Sequence, residues 1–146
     1  MNKYKALKDK HQKEVSAFPM FFAFSQSQFD EGMRSLGLEP TDTNKIYKFG
    51  DTGGFYRRSD AEELNSMLLR HSLEMDEAIA DDTTGEGFIY DMFLYELANH
   101  EYCITYEYED TFRALGLTEK EIYGNNALLA GLKKATQKYL EGCEDW

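Results

Sequence analysis

The pattern of polar and apolar residues predicts two long helices in the first half of the chain. Residues 4–15 are polar, rich in lysine and free of helix breakers, so they predict a solvated first helix. Ser59 and Glu62 match a capping box, in which each side chain can accept a hydrogen bond from a free backbone N–H group. The apolar positions that follow keep a spacing of about 3.6 residues, which predicts an amphipathic helix running toward Asp82.

The second half of the chain is also mostly helical in pattern. Residues 88–97 are apolar on nearly every side, which indicates a buried central helix. A short helix is expected over residues 110–115, and Thr118 with Glu121 forms a second capping box. The last helix is predicted from about residue 126, with lysines on its outer face and Gly142 as its stop.

Strand patterns are short and few. Residues 18–24 form an aromatic apolar run whose length favours a buried strand. Residues 46–49 and 55–57 are aromatic runs on either side of a glycine-rich segment that contains Asp51, and this arrangement predicts a β-hairpin with Asp51 in its turn. Residues 102–108 alternate in the manner of a strand, with Cys103 as a small strand residue.

One helix signal is repeated along the sequence. Ser25 or Ser27 can cap a helix that Gly37 ends, and residues 33–38 match residues 112–117 in pattern. The repeat is typical of a duplicated strand–helix unit, or simply of two short helices that end in the same favourable way.

These elements predict a single α+β domain over residues 1–146, with several helices packed on a small, mainly antiparallel sheet. A chain of this length with 42% apolar residues can bury a real core. The residues expected in that core are Phe21, Phe22, Phe24, Leu68, Phe93, Leu97, Ile104, Leu115, Leu128 and Leu132.

Charge is distributed unevenly along the chain. Sixteen Asp or Glu residues lie between Asp60 and Glu119, where Arg70 and Arg113 are the only basic residues, whereas lysines dominate the first helix. Such a surface repels nucleic acids and membranes, so we expect neither as a direct partner, and it favours a basic protein partner. The residues expected to form this acidic partner-binding surface are Asp76, Glu77, Asp81, Asp82, Glu107, Glu109 and Asp110.

The apolar runs and the cysteines indicate where in the cell the protein is expected. The first residues lack the apolar run of a secretory signal, and the longest apolar stretches are too short to span a bilayer. Cys103 and Cys143 are read as reduced thiols of a cytoplasmic protein. No cofactor motif is present, and we expect no cofactor.

One constellation supports an enzymatic alternative. His71 and Glu74 lie on one predicted helix, and Glu96 and His100 lie four residues apart near the end of the next. Two carboxylates with two imidazoles can bind a divalent ion if the two helices converge. The alternative function is therefore a metal-dependent hydrolase that uses His71, Glu74, Glu96 and His100.

Three blocks, at residues 10–15, 18–25 and 99–106, make the chain resemble a family of small uncharacterised proteins of unknown function from Firmicutes genomes and their phages or mobile elements. The resemblance implies a bacterial cytoplasmic setting and assigns no role to any residue. The sequence thus favours a non-enzymatic binding or regulatory protein that engages a basic partner. The more specific hypothesis is a phage or mobile-element inhibitor of a nucleic-acid enzyme that acts by charge mimicry.

Overall fold

The computed structural model describes residues 1–143, apart from the side chain of Cys103, and it has α+β architecture. The helices are α1 (Lys3–Ala17), α2 (Gln26–Ser35), α3 (Ala61–Asp81), α4 (Phe88–Asn99), α5 (Tyr102–Thr105), α6 (Glu109–Leu115), α7 (Glu119–Tyr123) and α8 (Asn126–Cys143). The strands are β1 (Met20–Phe22), β2 (Ile46–Phe49) and β3 (Gly54–Arg57), and 3-10 turns cover Thr43–Lys45 and Arg58–Asp60. In this described part of the chain no helix is both long and apolar enough to cross a membrane. The predicted fold class is confirmed.

The chain groups into two compact units. The helical unit consists of Met1–Gln12 together with the chain from Leu73 onward, and the sheet unit is Lys13–Ser72. The boundaries fall within α1 and within α3, so each of these helices contributes to both units. The prediction of a single domain stays a prediction.

The helical unit is built around α4. Its apolar residues are almost fully buried, and it packs chiefly on α8 and α6, while α7 and α5 also pack on α8. This confirms the predicted central helix. The main buried residues are Tyr4, Phe88, Ile89, Met92, Phe93, Leu97, Tyr102, Phe112, Ile122, Leu128, Leu132 and Ala135.

The sheet unit places α2 on one face of a three-stranded antiparallel sheet. The strand order is β1-β3-β2, with Phe21 opposite Phe55 and Tyr47 opposite Tyr56. The predicted hairpin of β2 and β3 is confirmed. Phe21 stacks on Phe55, with ring centroids 5.4 Å apart, and both rings meet Phe29 of α2 edge-on. This aromatic contact joins the helix to the sheet.

The predicted core is partly wrong. Five of the expected core residues are buried: Phe21, Phe93, Leu97, Leu128 and Leu132. Two more, Leu68 and Leu115, are half-buried. Phe22, Phe24 and Ile104 are instead 51%, 78% and 59% exposed. The rings of Phe22 and Phe24 lie against Gly54 and Gly53, where they cover backbone rather than enter the core.

The predicted strand over residues 102–108 is wrong. The segment begins with the short helix α5, and Glu101 and Tyr106 on either side of it adopt left-handed backbone angles, with φ of 52° and 54°. Tyr102 is buried and stacks on Tyr108 with ring centroids 4.7 Å apart, so the alternating tyrosines meet around a turn. The predicted strand environment of the Cys103 side chain lies outside the described residues. Cys143 lies at the end of α8 and is half-buried.

Local capping signals mostly hold. Ser25 is the N-cap of α2, and Thr118 and Glu121 form a complete capping box for α7. Helix α3 starts at Ala61, and Ser59, the predicted cap, lies within the preceding 3-10 turn. Helix α8 continues past the predicted stop at Gly142.

The repeated helix signal ends α2 and α6 in the same way. Gly37 and Gly116 both have positive φ, and the following Leu38 and Leu117 donate their N–H groups to carbonyls five residues back. Of these two helices, α2 follows a strand, whereas α6 follows helix α5 and a short connection. The repeat therefore reflects two similar helix ends rather than a duplicated strand–helix unit.

Gly32 of α2 tests the helix–sheet contact. A Cβ atom at this position would overlap the ring of Phe21, which occupies that space. We expect Gly32→Ala to lower the free energy of unfolding by about 1–3 kcal/mol, as overpacking of a core does. Gly142→Ala is the matched control, because a Cβ there meets open space and should be neutral or slightly stabilising. Equal denaturation midpoints for the two variants would contradict the contact.

Candidate functional site

An acidic groove opens in the helical unit between the end of α3 and the start of α8. Its volume is about 630 Å³, and it is named here the Asp76 groove. Carboxylates and amides alternate with apolar side chains along its walls, which are formed by Asp76, Ile79, Ala80, Asp82, Thr83, Leu117, Glu121, Gly124, Asn125, Asn126, Ala127 and Leu128. No basic side chain is among these lining residues. The groove can therefore accept a cation together with the aliphatic stem that carries it.

Asp82 fixes one wall of this groove. Its carboxylate accepts hydrogen bonds from the backbone N–H groups of Gly85 (3.0 Å), Gly87 (3.1 Å) and Ile89 (2.9 Å). Burial alone would raise the pKa of Asp82, but these bonds and one from Thr84 together hold it below its ordinary value. Gly87 is the N-cap of α4 and has no side chain, so Asp82 supplies the missing acceptor at the helix start.

A second groove lies alongside α6. It has a volume of about 410 Å³, is named here the Glu109 groove, and is lined by Glu109, Phe112, Arg113, Leu117 and Glu119. Leu117 lines both grooves, so the two adjoin at this side chain. Arg113 pairs with Glu109 at 2.7 Å and with Asp110 at 3.4 Å, and all three side chains are largely exposed. Exposed pairs of this kind contribute little energy, so a basic partner can displace Arg113.

The seven predicted partner-binding residues all lie in the helical unit. Three of them, Asp76, Glu77 and Asp81, are exposed in the last turns of α3. Asp82 is half-buried, because its carboxylate accepts hydrogen bonds at the start of α4. Glu107, Glu109 and Asp110 are exposed at the start of α6. Of the seven, Asp76, Asp82 and Glu109 line the two grooves. The assignment of all seven to a partner surface stays a prediction.

Lysines from the terminal helices pair with other carboxylates. Lys8 lies 3.3 Å from Glu96, Lys10 lies 3.6 Å from Glu74, and Lys134 lies 3.8 Å from Glu86. None of these three carboxylates lines either groove. These three lysines therefore pair with carboxylates outside the groove linings.

The four predicted metal ligands have close polar neighbours. His71 hydrogen-bonds Glu14, Glu74 lies near Lys10 and His11, and Glu96 lies 3.9 Å from His100. Within residues 1–143 no group of three or more His, Cys, Asp or Glu side chains is placed to hold a metal ion. The i,i+4 spacing did bring Glu96 and His100 together, but it could not show what His71 and Glu74 contact. The hydrolase alternative stays a prediction.

Glu96 is a fully buried carboxylate in α4. It is stabilised by Lys8 and by the phenol of Tyr4, which donates a hydrogen bond to it. Burial and the neighbouring charge of Glu96 both raise the pKa of Tyr4, so the phenol keeps its proton and remains a donor. A buried carboxylate with such partners is a structural anchor between α1 and α4.

A separate charged cluster lies in the sheet unit. Glu14 accepts hydrogen bonds from Arg70, at 2.8 Å, and from His71, and these bonds lower the pKa of Glu14 to about 2. Glu14 and Arg70 also border a cavity of about 570 Å³ whose other walls are mainly apolar. The cluster ties α1 to α3 within this unit.

Comparison with known proteins gives one result. A family model described as a family of unknown function, DUF7659, matches residues 3–138. The chain belongs to this family. Searches of curated proteins and of solved structures gave no match. The match confirms the expected membership in a family of unknown function.

Sequence reasoning missed two groove residues of this DUF7659 chain. Glu121 was assigned only to a capping box, and it does accept a hydrogen bond from Thr118 while also lining the Asp76 groove. Glu119 had no pattern of its own, and it lines the Glu109 groove. Both glutamates lie within four residues of Leu117, in the first turn of a helix that the capping box predicts. This exposed turn was the available signal for two further surface carboxylates.

Replacing Asp82 tests its role at α4. Asp82→Ala removes the acceptor of three backbone N–H groups, so we expect a loss of about 1–3 kcal/mol in the free energy of unfolding. The control is Asp81→Ala, because Asp81 is exposed and its loss should cost less than about 0.5 kcal/mol. Chemical denaturation measures both. Similar losses for the two variants would show that Asp82 does not hold the helix start.

The charge of Glu14 should appear in the pH dependence of stability. Its pKa is lowered from 4.5 to about 2 in the folded chain, so its stabilisation is fully present above pH 4.5 and is lost as the pH falls toward 2. We expect the difference in unfolding free energy between the unchanged protein and Glu14→Gln to shrink across this interval. A difference that stays constant with pH would contradict the assignment.

Proposed function

We propose that this protein is a non-enzymatic binding protein that engages a basic segment of a partner protein through the Asp76 and Glu109 grooves. The observation that carries the proposal is the sharing of Leu117 by two adjoining grooves. Asp76, Asp82 and Glu121 line one groove, and Glu109 and Glu119 line the other. Five carboxylates therefore line the two grooves that share the apolar side chain of Leu117, with Arg113 as the basic residue among the lining residues. Such a lining suits lysine or arginine side chains with their aliphatic stems.

The distribution of charge between the units supports this proposal. The helical unit contains eighteen Asp or Glu residues against nine Lys or Arg residues, whereas the sheet unit contains nine against seven. Most of the net charge of −11 thus belongs to the unit that contains the grooves. A field of this sign raises the rate at which a basic surface associates and weakens with added salt.

The finer form of the proposal is inhibition of a nucleic-acid enzyme by charge mimicry. Enzymes of that class hold a basic groove that normally binds phosphates, and exposed carboxylates on helices α3, α6 and α7 offer the same sign of charge. The resemblance to proteins of bacterial genomes, phages and mobile elements agrees with a cytoplasmic role of this kind.

Charge reversal in the grooves tests the proposal. The tagged protein is used at low salt to capture proteins from a bacterial lysate, and bound proteins are eluted with increasing salt. We expect a basic protein to be retained and to elute by about 0.15 M salt, because exposed charges are screened over about 8 Å at that ionic strength. The variant Asp76→Lys with Glu119→Lys should retain at least about tenfold less of it, since both changes place like charge against the partner.

The control carries the same change in net charge elsewhere. Glu31→Lys with Glu62→Lys alters two exposed carboxylates of the sheet unit and should leave retention unchanged. Equal losses for both double variants would show that net charge alone is responsible. Retention that salt does not affect would overturn the proposal.

A further inference from the structure

The sheet has an uncovered face made of aromatic side chains. Cross-strand partners project from the same face of an antiparallel sheet, so the row Met20, Tyr56, Tyr47 and the row Phe22, Gly54, Phe49 lie together, opposite the face that packs on α2. Phe22 is 51% exposed and Tyr47 is 44% exposed. These residues form what is named here the aromatic face.

The composition of the aromatic face is that of a protein interface. It consists of Tyr, Phe and Met residues and Gly54, with the guanidinium of Arg58 lying 4.7 Å from the centre of the Tyr47 ring. Tyr, Phe, Met and Arg are enriched at the centres of interfaces, where Lys, Asp and Glu are depleted. No strand residue of the sheet is a carboxylate. Contiguous exposed apolar patches mark interaction sites on proteins.

The opposite charges at the two ends of the aromatic face favour a second copy of this chain as the partner. Two molecules of charge −11 repel each other, and the sheet unit, with nine acidic and seven basic residues, is the region where they can approach at least cost. Arg58 follows β3 at one end of the sheet, and Asp51 lies in the β2–β3 turn at the other end. Both residues are exposed, so the aromatic face has a positive end and a negative end.

We propose that two copies of this chain associate through their aromatic faces, related by a twofold axis that runs across the strands. This axis reverses the strand direction of the second copy, so that Arg58 of each copy lies opposite Asp51 of the other. The contact is isologous, since the same two residues meet twice. The packed aromatic side chains supply the affinity, and the two charge pairs fix the orientation of the sheets.

The test measures mass in solution by sedimentation across a range of concentrations. We expect a species of twice 16.9 kDa for the unchanged protein. Arg58→Glu alone or Asp51→Arg alone should raise the dissociation constant of the dimer by about tenfold or more, because each places like charges opposite one another. The double variant, which exchanges the two charges, should restore the affinity.

Two controls separate the interface from folding and from net charge. Far-UV circular dichroism confirms that each variant keeps its secondary structure. Glu31→Arg makes the same charge change as Asp51→Arg at an exposed position of α2 and should leave the dissociation constant unchanged. A monomer at every concentration, or single and double variants that weaken association equally, would overturn the proposal. A monomer that binds a fluorescent single-stranded oligonucleotide through the aromatic face would overturn it as well.

Discussion

The close approach of the loop before α4 to the backbone of α8 is the constraint on which the helical unit depends. A Cβ atom at Gly85 would overlap the carbonyl of Ala127, and one at Gly131 would meet Ile89 and the carbonyl of Gly85. Only glycine lets the two backbones come so near, and Gly85 also needs its φ of 81°. Asp82 holds the same loop by three N–H groups. Packing of α4 on α8 and the wall of the Asp76 groove therefore share one support.

The buried carboxylate of Glu96 in α4 has two partners on the lysine-rich helix α1. Glu96 is fully buried, and an isolated buried carboxylate is very costly, so it needs a positive charge and a donor. Lys8 and Tyr4, one turn apart on α1, supply both. The basic first helix is thus engaged in stabilising the interior of its unit. Lys8 therefore pairs with a carboxylate that lines neither groove.

Sequence patterns predicted those parts of the fold in which local signals and tertiary packing agree. The hairpin around Asp51, the buried α4 and the capping box at Thr118 each rest on residues within a few positions of one another. Sequence patterns gave wrong predictions where the packing of aromatic rings determines the structure. Residues 102–108 alternate like a strand, yet Tyr102 stacks on Tyr108 across a turn. Phe22 has the hydropathy of a core residue, but its strand position directs it to the uncovered face.

The candidate site was predictable only in its charge. An excess of carboxylates can be counted from the sequence, whereas the adjoining of two grooves at Leu117 depends on how α6 and α7 pack. The two proposals act on different surfaces, one in each unit, and they reinforce each other. If both proposals hold, a dimer would carry two sets of grooves, and a partner with two basic segments would gain avidity where its linker spans both sets. Salt would still weaken every groove contact, so the association of such a complex would remain salt-sensitive.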